Sequence, residues 1–239
     1  MGVAEVILGI RIERVKGGLA LTQSHYIEKV LKKYKYLDCH PMNTPFESSK
    51  HLFSNKGAPV SQHEYSRVIG SLMYVMTSTR PDIAFAVGKL SRYTSNPSED
   101  HWKGVHRVLQ YLKGTMNLGL VYSEFPSVVE GYSDASWIFN EEDHSSTSGW
   151  VFLLGGGAIS WAYKKQTSIS SSTMESEFVA LAATLKEAEW LKYMIHEIPL
   201  WERPISPILI HCDSVAALAK VYSHVYNGSL DTWVLDIVR

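Results

Sequence analysis

The 239-residue sequence predicts an α/β protein in two parts: a mainly helical amino-terminal region that opens on a hairpin, and a carboxyl-terminal domain built on a mixed sheet. Three observations carry this. Between residues 24 and 114 apolar residues recur mostly at helical spacing. Beyond residue 120 three strand-like runs follow one another, then a long helix, a strand and a helix. The charge divides at the same place: residues 1–120 carry 16 Lys+Arg against 9 Asp+Glu, a net +7, and residues 121–239 carry 7 against 15, a net −8. Two domains, 1–120 and 121–239, are expected. One half suits a polyanion and the other cations, with ordinary solvated faces as the bland alternative.

The first element is a hairpin. VILGIRIERVKGGLALTQ alternates on both sides of Gly17-Gly18. Its apolar start is too short for a signal or membrane segment, and Met-Gly lacks the Ser or Thr of a myristoylation site. SHYIEKVLKKYKYL then places Tyr26, Ile27, Val30, Leu31 and Tyr34 on one helical face. After a loop from about 40 to 60, Ser61 with Glu64 predicts a capped helix start, and Pro81 opens the next helix. Ser98 caps a further helix, with Trp102, Val105, Leu109 and Leu112 as its apolar stripe and Gly114 at its end.

In the second half VVEGYSDASW, SGWVFLLGG and GAISWAYKK read as strands, the last two joined at Gly155–Gly157. That glycine run lacks the Gly-Lys-Ser/Thr of a phosphate loop. A helix over roughly 173–197, the strand ILIHC and the helix SVAALAKVY complete the domain. Cys39 and Cys212 are too few and too far apart for a disulfide framework or zinc knuckle, so a reducing cytoplasm or nucleus is expected.

Two acids stand at strand positions, Asp134 in GYSDASW and Asp213 after ILIHC, where α/β sheets tend to form ligand sites. The helix start SSSTMESEFVAL offers Glu175 and Glu177. At about 100° per residue, with Met174 at zero, Met174, Phe178, Leu181 and Leu185 define a stripe near 0°. Glu177 then falls at about 300°, bordering that stripe, and Glu175 at about 100°, toward water. Residues i and i+2 do not share a face, so geometry favours Glu177 for a compact site and leaves Glu175 as a helix-start acid. Three carboxylates without His or Cys suit hard cations such as Mg²⁺ or Mn²⁺. The pattern alone leaves two readings open, a shared metal site or three unrelated acids.

The ordered set GYSDASW, STSGWVF, GGGAISW, KKQTSISSSTMESEFVAL, EAEWL and IHCDS resembles the ribonuclease H domain of copia-type retrotransposon polyproteins. LGIRI, LTQSHYIEKVLKKY, EYSRVIGSLMYVMTSTRPDIAFAVGKLSRY and HWKGVHRVLQYLKGT resemble the carboxyl-terminal part of its reverse transcriptase and the connection region. The likeness runs to about Gly228.

The resemblance implies a ribonuclease H-like mixed sheet whose Asp134, Glu177 and Asp213 bind two Mg²⁺ or Mn²⁺ ions, Asp134 bridging both, to hydrolyse the RNA strand of an RNA/DNA hybrid. The Tyr-x-Asp-Asp signature of the polymerase is absent, so DNA synthesis is not expected. After YNG the sequence departs into SLDTWVLDIVR, where the family continues through a further strand and helix. A truncated carboxyl-terminal end with an unpaired sheet edge is therefore expected, with Asp231 and Asp236 as weak candidates for a fourth carboxylate. Two other readings stand beside the nuclease: a relic that keeps the carboxylates by descent and at most binds nucleic acid, and a helper of an intact polymerase.

Overall fold

The structure, a computed structural model, describes residues 5–47, 51–123, 128–140, 145–199, 201, 203–223 and 235–238; of 138–140 and 235–238 only the backbone is described. The chain divides into two compact units, Met1–Val121 and Tyr122–Arg239.

In the first unit the expected hairpin is β2 (Ile10–Val15) and β3 (Gly18–Thr22), paired from Arg11↔Thr22 to Val15↔Gly18. A further strand, β1 (Val6–Ile7), folds back on β2 because Leu8 and Gly9 both take left-handed backbone, φ 49° and 74°. The Tyr74 hydroxyl donates to the Leu8 carbonyl and holds that turn. β4 (Leu120–Ser123) lies beside β3, and the division between the units falls within it.

Among the described residues four helices complete the first unit: α1 (Ser24–Lys33), α2 (Gln62–Ser78), α3 (Ala84–Ser91) and α4 (Glu99–Gly114). Pro81 opens a short 3-10 turn, Pro81–Ile83, ahead of α3. Their apolar faces share one core, in which Ile27, Leu31, Tyr65, Leu72, Val87 and Leu112 are sealed from solvent. Ser61 caps α2 through the Glu64 N–H, as the spacing predicts.

The second unit is a five-stranded sheet in the order β7-β6-β5-β8-β9. β5 (Glu130–Asn140), β6 (Ser145–Leu154) and β7 (Gly157–Lys165) form an antiparallel meander. β8 (Ile208–Cys212) pairs parallel with β5, and β9 (Leu235–Val238) parallel with β8. The sheet edge expected to be bare beside β8 is thus paired by β9. α5 (Thr173–His196) and α6 (Val215–Val221) pack with the sheet around one core that includes Phe152, Leu181, Leu191, Ile210 and Ala217.

Candidate metal centre

Register brings the two strand acids together. β5 and β8 pair in parallel as far as Ser133↔Cys212, so the residues that follow, Asp134 and Asp213, stand side by side. Gly131 lets this part of β5 meet its neighbour closely. A Cβ there would lie 2.4 Å from the Phe152 ring, which fills the gap from β6.

The third acid comes from α5. Ser172 caps the helix by accepting the Glu175 N–H at 3.2 Å. The Glu175 carboxylate turns back to accept the Ser171 N–H at 2.7 Å and the Ser171 hydroxyl at 2.6 Å, and these contacts hold its carboxyl below the usual range. Glu175 is a helix-start acid. Glu177 points the other way and is only 7% exposed.

The buried face of α5 differs from the one that bulk hydrophobicity predicts. With Met174 at zero, the buried residues Ser176, Glu177, Ala180, Leu181, Thr184, Ala188, Leu191 and Ile195 span about 200° to 340°, centred near 280°. Glu177 lies close to the middle of that face instead of at its border. Met174, Phe178 and Leu185, expected at the centre, are half-buried. The buried face interleaves the short side chains Ser176, Ala180, Thr184 and Ala188 with Leu181, Leu191 and Ile195, while Met174, Phe178 and Leu185 lie on its flank. Thr184 Oγ1 donates to the Ala180 carbonyl and accepts the Ser133 hydroxyl at 3.0 Å, beside Asp134.

One ligand oxygen from each of Asp134, Glu177 and Asp213 lies within 4.8 Å of the other two. Asp134 and Asp213 are exposed in an open cleft that Tyr132, Ser133, His211 and Cys212 also line. Tyr132 and His211 stack across the two strands at 4.6 Å. Burial, and then the charges of Asp134 and Asp213, push the Glu177 carboxyl up to about 7 against the pull of the Ala135 backbone N–H. Burial and Asp213 likewise raise Asp134, with the same N–H opposing.

The donor set fits a divalent cation. All three ligands are carboxylate oxygens, and like charges this close oppose one another until a cation intervenes. Glu177 Oε2 is buried with no hydrogen-bond partner among the described residues, a cost that a cation would remove. Asp231 lies outside the described residues, as does the Asp236 side chain, whose backbone is in β9.

A buried polar group that hydrophobic periodicity does not reveal lies next to this site. Gln166 follows β7 directly, and its carboxamide Nε2 donates to Ser148 Oγ at 3.0 Å and to the Ser176 carbonyl at 2.9 Å. Its Oε1 accepts the Ser170 hydroxyl at 2.9 Å. The signal in the sequence is a Gln placed between a strand and a serine run ahead of the helix.

A mixed sheet of this strand order, with one carboxylate on the central strand, one just past the parallel strand beside it and a third on the packed helix, is a ribonuclease H-like α/β fold. The chain belongs to the copia-type retrotransposon Pol polyproteins. It is 37% identical over 238 residues to the retrovirus-related Pol polyprotein from transposon TNT 1-94 of Nicotiana tabacum, covering 95% of this chain. It is 34% identical over 231 residues to that from transposon RE2 of Arabidopsis thaliana, covering 96%. The chain spans 18% and 16% of those two polyproteins. A crystal structure of LC11-RNase H1 in complex with RNA/DNA hybrid has 13% identity and a TM-score of 0.31 over 46% of this chain and 83% of that one. No protein-family model matches the chain.

Proposed function

We propose that the second unit is a metal-dependent ribonuclease H that hydrolyses the RNA strand of RNA/DNA hybrids. The observation that carries this reading is the convergence of Asp134, Glu177 and Asp213 within 4.8 Å. Its support from chemistry is the hard-oxygen donor set and the unpartnered Glu177 oxygen. Those three residues would hold two Mg²⁺ or Mn²⁺ ions. When bound, such ions activate water and stabilise the leaving oxygen of a phosphodiester.

The remaining work belongs to the chain. Asp134 and Asp213 face the cleft, where a backbone phosphate can approach. Glu177 brings a carboxylate oxygen to the same point from α5. Residues 1–120, which carry the net +7, would supply cations for nucleic-acid phosphates.

The test is cleavage of end-labelled RNA annealed to DNA, with Mg²⁺ or Mn²⁺. Asp134→Asn and Glu177→Gln are each expected to lower the rate at least about 100-fold, while Glu175→Gln keeps it within a few-fold. Absence of metal-dependent cleavage by folded protein rejects the nuclease and leaves a non-catalytic relic. A Glu175→Gln loss as large as that of Glu177→Gln rejects the choice of helix ligand.

A further inference from the structure

We propose that Gln166 is a positioning residue for Glu177: without touching any of the three carboxylates, it fixes the rotation and depth of α5 that bring the Glu177 oxygens to Asp134 and Asp213. The proposal rests on the metal-centre reading above.

The geometry comes from four hydrogen bonds at one residue. The Gln166 backbone N–H donates to the Ser146 carbonyl at 2.9 Å, which ties the residue to β6. The carboxamide then reaches three ways, to Ser148 of β6, to Ser170 of the connecting segment and to the Ser176 carbonyl in the first turns of α5. Ser176 directly precedes Glu177. Gln166, Ser148, Ser170 and Ser176 are all buried, at 6%, 5%, 3% and 0% exposure. Trp137 of β5 adds its indole N–H to the Ser170 carbonyl at 3.0 Å, closing the link from the Asp134 strand to the same segment.

Such a node adds direction that the rest of the face lacks. Around Glu177 the buried face of α5 is made of Ser176, Ala180, Thr184 and Ala188 interleaved with Leu181, Leu191 and Ile195, and apolar packing is non-directional. A carboxylate rides about 5–6 Å from the helix axis, so a 10° rotation displaces it by about 1 Å. Metal ligands and catalytic groups must be held within about 0.5 Å. A buried carboxamide with both N–H groups and its oxygen engaged supplies directional contacts that apolar packing does not.

The test uses the whole chain and Mn²⁺ alone. Binding is measured by calorimetry and by Mn²⁺ paramagnetic resonance, with metal-free melting recorded for each variant. Gln166→Met keeps length and volume, and Ser148→Ala removes a single hydroxyl, so that one milder variant remains if the first unfolds. Gln166→Met is expected to weaken Mn²⁺ binding about 10–100-fold, and Ser148→Ala by less, as loss of an outer partner does at other metal sites. The double variant Gln166→Met with Glu177→Gln is expected to bind no more weakly than Glu177→Gln alone. Unchanged Mn²⁺ affinity in both folded variants overturns the positioning role, and so does an additive loss in the double variant. No Mn²⁺ binding by the parent, or binding indifferent to Asp134→Asn, overturns the metal centre itself and this role with it.

Discussion

Glu177 shows what the neighbourhood of one carboxyl does to its proton. An unperturbed glutamate titrates near 4.3, and here burial and two nearby carboxylates move the group up to about 7. Between those pH values the folded protein holds more protons than the unfolded chain. The contribution of this group to stability is therefore full below about pH 4.3 and is lost as pH rises through about 7. Asp134, raised by burial and by Asp213, acts with the same sign. The difference in stability between parent and Glu177→Gln, measured by urea unfolding without metal, is expected to grow in favour of the variant from pH 5 to pH 8, by on the order of 1–2 kcal/mol. Parallel pH profiles for the two proteins would show that the proton is not held there. Choosing Glu177 over Glu175 required only the helical repeat, because two residues apart means about 160° around the helix. Its central place on the buried face was not legible, since hydrophobicity weights bulk and half of that face, Ser176, Ala180, Thr184 and Ala188, is short or polar.

Secondary elements were legible where local chemistry dictates them. The β6–β7 turn is such a case: Gly155 and Gly156 both adopt left-handed backbone, φ 57° and 79°, as a two-residue turn of this hand requires. The two glycines differ in surroundings. A Cβ on Gly155 would lie 2.3 Å from the Ser123 carbonyl oxygen, whereas one on Gly156 meets nothing within 4 Å. Gly156→Ala is expected to cost about 1–2 kcal/mol from backbone strain alone. Gly155→Ala adds a backbone collision and is expected to cost about 2–4 kcal/mol. Urea unfolding of the two variants decides this, and equal losses would refute the collision. The α4 start was legible in part. Ser98 is its cap, but the reciprocal partner is His101, whose Nδ1 accepts the Ser98 N–H at 2.9 Å, where the motif leads one to look for Glu or Gln. Val6–Ile7 belongs to the run that reads as the first hairpin strand, and only the Leu8-Gly9 turn makes it a separate β1, whereas the four residues of β4 carry too little alternation. β9 went unread because its sequence departs from the pattern that the rest of the chain follows.

At the scale of the molecule, the division of charge near residue 120 falls close to the border between two units that each enclose a core. Hydrophobic periodicity locates such cores, but strand order depends on pairings far apart in sequence, which periodicity does not contain. The parallel pairing of β5 with β8 is the extreme case, because Gly131 meets Ile210 about 80 residues later. Contacts of that separation form slowly, whereas the β5–β6–β7 meander closes through neighbouring segments. During refolding, pulsed hydrogen exchange is expected to protect β6 and β7 amides before those of β8; simultaneous protection would refute this order. Synthesis from the amino terminus imposes the same sequence of events. Asp134 and Glu177 leave the ribosome well before Asp213, so a nascent chain passes through a stage with two of the three acids and no complete carboxylate cluster. The parallel strand thus acts as a timer, delaying the centre until nearly the whole second unit has been made.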